Sequence, residues 1–505
     1  MAAPHRIVIL GGGSAGWMTA CLMAARWLGD DAARPVSITL VESPAIGIIG
    51  VGEGSTPQLK AFFDRLGIAE AEWMPACDAT YKLGIRFTGW SERAGYDSYF
   101  HPFPSAIDLH TEGAFAHACR LKRGGIEAPV HPDHWFLPTK LADAKLGPHP
   151  DERFPFEPSY GYHFDAHKLG AFLSAHARGR GVNHVAARIA DVERAANGDI
   201  AALLCEDGRR IEGDLFVDSS GFAALLAERT LGARFLPFAQ NLFNDRAVVM
   251  PTPAAEAPPI ATQATALSAG WAWSIPLTAR TGNGYVYSSR HLSDDAAETE
   301  LRRYLGLLDD PTEARFLKMK VGRLEDSWTA NCLAVGLAQG FIEPLEATAL
   351  HIVIATVEEF ISAYEAGGFA AQHRAQFNAR IARRYEGIRD YIVAHYRLNR
   401  RSGDYWREAA SMDFLSDDLK AMMTAWFTGQ DVDETIARLD IAGFYASTSW
   451  HCLFAGYGTF PDDAKLRAPT PAERIDEANA AEFLARSAMN FQGHAEQLAD
   501  LRPSG

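Results

Sequence analysis

The first apolar positions of the chain form a continuous run rather than an alternation. Residues 6–10 read RIVIL, as expected for a parallel strand buried on both faces. WMTACLMAARWL then places apolar residues at helical spacing and predicts an amphipathic helix. VSITLVE predicts a second strand, ending at Glu42. Further on, VNHVAARIADVERA and IAALLCEDGRRIE read as antiparallel strands joined at Asn197-Gly198, a residue pair that suits hairpin turns. DLFVD at 214–218 is an apolar strand that enters the small-residue turn Ser219-Ser220-Gly221. Residues 251–260 are Pro- and Ala-rich and predict a surface loop. From His351 the period becomes helical, through EEFISAYEAGG and AQHRAQFNARIARRYEGIRDYIVAHYRL.

Between the first strand and the first helix stands Gly11-Gly12-Gly13-Ser14-Ala15-Gly16, a GxGxxG turn in its strand–turn–helix setting. Gly11 permits the tight turn, Gly13 lets a pyrophosphate approach the backbone, and Gly16 lets helix and strand pack closely. The helix N-terminus, with Ser14 and Ala15, offers free N–H groups and a partial positive charge to phosphates. Glu42, at the end of the second strand, can accept hydrogen bonds from a ribose. The pattern predicts a bound dinucleotide.

The chain has 505 residues and a net charge of −15, which argues against a nucleic-acid or anionic-membrane surface, since either needs a basic face. With 48% hydrophobic and 22% charged residues it has the composition of a globular protein with a large core. The six cysteines lie far apart without CxxC or zinc spacing and predict no metal site, only buried thiols in a reducing, cytoplasmic compartment. RIVILGGG runs straight into the glycine turn and lacks a cleavage site, so no signal peptide is expected.

The hairpin and the 214–221 strand and turn resemble the FAD-binding fold of the glutathione-reductase type, and on that resemblance Ile189 falls at the adenine. Three further segments resemble flavin-dependent halogenases of the tryptophan-halogenase type. Trp271-Ala272-Trp273-Ser274-Ile275-Pro276 matches their WxWxIP signature, although an i, i+2 pair of tryptophans also suits any core strand face. Gly52-Glu53-Gly54-Ser55-Thr56-Pro57, followed by Tyr81-Lys82-Leu83-Gly84-Ile85-Arg86-Phe87, resembles the stretch carrying their essential lysine, which maps to Lys82. Residues 336–348, GLAQGFIEPLEAT, resemble the G-x-A-x-G-F-[IL]-E-P-L-E-[SA]-T segment. Related hydroxylases usually carry an aspartate just after its first glycine; here that position is Leu337. The overlap runs from about Arg6 to Pro461.

The resemblance implies an α/β fold: an FAD-binding Rossmann-like region at 1–360, with substrate-pocket insertions near 85–160 and 235–320, and a helical cap at 361–505. The substrate-binding part is expected to be mostly helical. It implies an enzyme that uses reduced FAD, oxygen and chloride or bromide to make hypohalous acid. Lys82 would hold that acid or form a haloamine, and Glu346 would orient the electrophile or take the departing ring proton. The N–H groups of Thr348 and Ala349 match the family's halide site, where Gly is common in place of Ala349. Leu337 and Leu350 join the flavin contacts. His101 and Phe103 match residues lining the indole pocket, and Tyr445 stands on its far side where Trp is common. Tyr162-His163-Phe164-Asp165 also matches a family segment, with packing as its expected role. The tyrosine pair and glutamate that grip free tryptophan have no equivalent in FTGQDVDETIARLDIAG, which points to indole or an indole derivative. No second dinucleotide fingerprint is present, so a separate flavin reductase, without a stable complex, would supply FADH2. A monomer or homodimer is expected. An FAD-dependent aromatic monooxygenase and a non-catalytic flavoprotein are the alternative readings.

Overall fold

The computed structural model describes residues 4–29, 35–45, 47, 50 and 52–501. Its contacts group into two units. One contains the residues up to Asp78 with Phe164–Ala239 and Met319–Glu386; the other contains Ala79–His163, Gln240–Lys318 and the chain from Gly387 on.

At the centre of the first unit lies a six-stranded sheet. Its order is Trp328–Thr329, Cys332–Ala334, Leu215–Asp218, His5–Leu10, Val36–Glu42, Asn183–Ala186, and all but the first pair run parallel. The RIVIL run is buried because it holds the middle, with Ile9 opposite Val217 on one side and Leu40 on the other. The helix Ser14–Trp27 differs from its expected amphipathic form. Eleven of its fourteen residues are buried, because the helices Ala166–Gly179 and Ala349–Ala366 pack against it as well as the sheet. The hairpin expected around Asn197-Gly198 is present as Ile189–Arg194 and Ile200–Cys205, with Gly198 at φ +92° as the turn requires.

The second unit is built on a seven-stranded sheet. Its order is Arg315–Lys318, Arg246–Pro253, Arg280–Tyr287, Gly270–Pro276, Ala261–Leu267, Gly84–Thr88, Ser98–Pro102. Ala261–Leu267 and Gly84–Thr88 pair in parallel, and the other neighbours pair antiparallel. Among the described residues after 360 the elements are helices apart from the short strand Phe491–Gly493, whereas the stretches near 85–160 and 235–320 supply this sheet. The loop expected at 251–260 is shorter. Residues 251–253 extend the strand Arg246–Pro253, and Pro251 and Pro253 are tolerated because the neighbouring strand Arg315–Lys318 pairs only as far as Val249.

Candidate functional site

In the first unit the glycine turn leaves no room for side chains. A Cβ on Gly12 would lie 1.5 Å from Glu42 Oε2, and one on Gly16 would lie 1.9 Å from the Gly11 carbonyl oxygen. Gly11 has φ +112°, and its Cβ would meet the Ser219 carbonyl oxygen at 2.2 Å. Gly13 is different: nothing lies within 4 Å of its Cβ position, so a ligand can reach the backbone there. Gly13 is the N-cap of the helix Ser14–Trp27, which has no side-chain cap and no acidic residue in its first turn. The first-turn N–H groups, including those of Ser14 and Ala15, are thus left for an anion. Glu42 closes the strand beside this turn and pairs with His184 at 2.8 Å. Ile189 begins the hairpin sheet and packs on the apolar cluster that includes Leu10 and Val41. These residues fit a dinucleotide.

The 336–348 segment returns to the same turn. Gly336 has φ +61°, and its Cβ position lies 2.7 Å from the Ala15 methyl. Leu337 follows directly and is half-buried. The short turn Pro344–Glu346 leads to Ala347 at φ +55°, a left-handed residue that redirects the chain into the helix Ala349–Ala366. Thr348 is the N-cap, without a side-chain bond, and the first turn holds no acidic residue. Free backbone donors at such an end suit a halide ion without a charged side chain. Glu346 is 3% exposed, Leu350 is buried and Ala349 is exposed.

In the second unit Lys82 ends the short strand Thr80–Lys82 and is 0% exposed. Its Nζ lies 5.3 Å from the centroid of the Phe103 ring, a cation–π contact. The chain holds that ring in place through the Phe103 N–H, which donates to the Leu83 carbonyl at 2.9 Å. Thr80, two residues before Lys82 and so on the same strand face, donates its hydroxyl to the Pro276 carbonyl at 2.7 Å. The WxWxIP strand is thereby tied to the lysine strand. Both of its tryptophan rings are buried, 6.1 Å apart, and Gly284 opposite Trp273 leaves the room that ring needs.

Two buried histidines flank the lysine strand. His163 pairs directly opposite Thr80, and burial, with the Lys82 charge next, pushes its pKa well below the usual histidine value. His494, from the last helix, accepts from the Tyr81 N–H at 3.3 Å and is pushed down to about 4 by burial. Neither was identified from the sequence as a functional residue. His494 lies 413 positions from Tyr81, and no local pattern announces such a contact. His101 reaches the hydroxyl of Tyr391 at 2.9 Å, and the Tyr391 ring stacks on Tyr445 with centroids 3.6 Å apart. Tyr391 was also missed, as one aromatic in a helical run. Tyr445 lines a small cleft together with Gly387, Asp390, Asp418, Phe444 and Trp450. Its Asp390 is paired with Arg389 at 2.9 Å and accepts the Ser416 hydroxyl at 2.6 Å.

The sequence model of the tryptophan halogenase family matches residues 6–472. A 7-chloro-L-tryptophan 6-halogenase of Kutzneria sp. is 35% identical, over 99% of this chain and 98% of its own length. The crystal structure of a tryptophan 6-halogenase from Streptomyces toxytricini is 32% identical with a TM-score of 0.82, covering 98% of this chain and 100% of that one. A flavin-dependent halogenase from Brevundimonas sp. is 33% identical with a TM-score of 0.82, over 99% and 100% of the two chains. The chain belongs to the tryptophan halogenase family. It is a flavin-dependent halogenase, an oxidoreductase that uses FADH2 with chloride or bromide, and nothing favours the monooxygenase reading over this one. Among the described residues, no helix is long and apolar enough to cross a membrane.

Proposed function

We propose that Lys82 delivers the electrophilic halogen to an indole or simple indole derivative, and that Glu346 orients the electrophile or takes the ring proton. The observation that carries this is the burial of the Lys82 ammonium against Phe103. An amine in such a setting can hold hypohalous acid, or the halogen as a haloamine, away from solvent. Phe103 offers a face to an aromatic ring, a contact worth about 0.5–1.5 kcal/mol beyond burial, and His101, on the same strand side, is held by the Tyr391 hydroxyl. Pro276, at the end of the strand that carries Trp271 and Trp273, accepts the Thr80 hydroxyl of the lysine strand.

The flavin fold is read as the glutathione-reductase type, with Gly11, Gly13, Ser14, Ala15, Gly16, Glu42, Ile189, Leu337 and Leu350 around FAD. The parallel sheet flanked by the antiparallel hairpin supports this. When bound, reduced FAD supplies the oxygen chemistry, and Thr348 and Ala349 hold the halide through their backbone N–H groups. A separate reductase supplies the FADH2. The six free cysteines are all buried, which suits a reducing cytoplasm.

Indole is preferred to free tryptophan because FTGQDVDETIARLDIAG holds no equivalent of the tyrosine pair and glutamate that grip the amino-acid backbone in the tryptophan enzymes. The test is Lys82→Ala assayed with a flavin reductase, FAD, bromide and indole. FAD binding should persist and the brominated product should vanish; normal product yield would remove Lys82 from the reaction. Product from NADH and FAD alone, without reductase, would overturn the reductase requirement.

A further inference from the structure

Thr80, His163 and Thr262 form a chain of hydrogen bonds in which the direction of each bond is fixed. The Thr80 hydroxyl has one proton and gives it to the Pro276 carbonyl at 2.7 Å. Its oxygen also meets His163 Nδ1 at 3.1 Å, so there it must accept, and Nδ1 carries the proton. Nε2 of a neutral ring is then a bare acceptor, and the Thr262 hydroxyl, 2.9 Å away, donates to it. Every link is buried or nearly so: His163 and Thr80 are 0% exposed and Thr262 is 8% exposed. The chain joins four separate strands: the lysine strand, the strand Gly161–Phe164 that carries His163, the end of the WxWxIP strand, and Ala261–Leu267, which pairs with WxWxIP.

We propose that His163, held as the neutral Nδ1–H tautomer, is a positioning residue that locks the lysine strand to the WxWxIP strand and thereby fixes where the Lys82 amine stands. In the antiparallel pair, Thr80 faces His163 while Lys82 faces Gly161. Thr80, Lys82 and His163 therefore share one face, and no side chain stands opposite the lysine. Loss of the Nδ1–H donor leaves the Thr80 oxygen without its buried donor and loosens the strand one step from Lys82. The charge of the lysine also opposes protonation of His163. A proton on Nε2 would require the Thr262 hydroxyl to turn away and break the fixed order of bonds.

The inference rests on the reading of Lys82 as the group that delivers halogen, so Lys82→Ala is run beside its test. The variants are His163→Leu, His163→Asn and Thr80→Val, each with reductase, FAD, bromide and indole. Two quantities are read: bromoindole formed per FADH2 oxidised, and free hypohalous acid caught by an added cyclic diketone trap. His163→Leu and Thr80→Val should bind FAD normally and lower product per FADH2 by about 10²-fold, the scale of a misplacement near 1 Å. The missing halogen should appear in the trap. Asn places an amide N–H close to the position of Nδ1, so His163→Asn should recover most of the coupling. A packing role alone would lower protein yield or thermal midpoint without diverting halogen to the trap. If His163→Leu is insoluble, Thr80→Val decides the matter, since it keeps the strand and removes only the hydroxyl. Unchanged coupling in Thr80→Val, with Lys82→Ala inactive, overturns the lock and leaves the lysine reading intact. Full product from Lys82→Ala overturns both.

Discussion

In the first unit the groups assigned to chemistry are mostly backbone: the N–H donors after Gly13 and those at Thr348 and Ala349, each at the start of a helix without a side-chain cap. In the second unit they are side chains, with Lys82 against Phe103 and His163 between two threonines. The difference governs how each fails. A backbone site is lost when a side chain intrudes, whereas a side-chain site is lost when its functional atoms go and the fold remains. Flavin binding and halogen delivery should therefore be separable by mutation.

The largest effects test that separation. Gly16→Val places a branched side chain where even a Cβ lies 1.9 Å from the Gly11 carbonyl, so the turn cannot close. FAD binding, read by flavin fluorescence quenching on titration, should be lost, and product with it. Lys82→Ala should show the opposite pattern, with normal titration and no product. Product from the glycine variant at ordinary FAD concentration would break the comparison.

Glu346 lies in the first unit, yet the role proposed for it runs through its side chain. If its carboxylate takes the ring proton, Glu346→Gln should lower turnover by on the order of 10²-fold while flavin binding holds. An unchanged rate at saturating indole would remove Glu346 from the reaction.

The same contrast explains what was legible in the sequence. RIVIL, the glycine turn and Glu42 are local signals, and each is where the pattern places it. The seven-stranded sheet was not legible, because Gly84–Thr88 finds its parallel partner at Ala261–Leu267, about 180 positions away, and pairing at that distance leaves no mark on either segment. Lys82 shows the limit most clearly. Its apolar neighbours suit an exposed strand lysine as well as a buried one, and only the resemblance singled it out. His163 was read as packing, since the hydroxyls that fix its tautomer come from residues 80 and 262.

Acid offers a milder probe with one reporter in each unit. His351 in the first and His494 in the second are both pushed down to about 4 by burial. Above the ordinary histidine value, near 6.5, neither form of the protein binds a proton there. Below it the unfolded chain takes one up and the native ring does not, so stability falls as the pH drops from about 6.5 to 4. At pH 5 each histidine should cost on the order of 2 kcal/mol relative to pH 7. Urea midpoints across this range measure it, and His494→Gln should flatten the slope. An equal slope in that variant would place the acid sensitivity elsewhere.

The smallest effect concerns substrate. Indole should be halogenated at least as well as free tryptophan when the two compete at equal concentration. A bound zwitterion needs partners for both charged ends, and a buried charge without one costs several kcal/mol. The segment before Tyr445 holds no tyrosine pair and glutamate to grip an amino-acid backbone, and at the cleft beside Tyr445 the Asp390 carboxylate is already paired with Arg389 at 2.9 Å. Tryptophan must then leave its carboxylate in solvent and bind through its ring, which removes the advantage of its extra contacts. Indole, steered by stacking on Phe103 alone, should react at its most nucleophilic carbon. Tryptamine, which keeps the amine and lacks the carboxylate, should compete better than tryptophan, since it has one charge rather than two to keep in solvent. A strong preference for tryptophan with a single benzo-ring product would mean that residues outside the cleft hold the carboxylate.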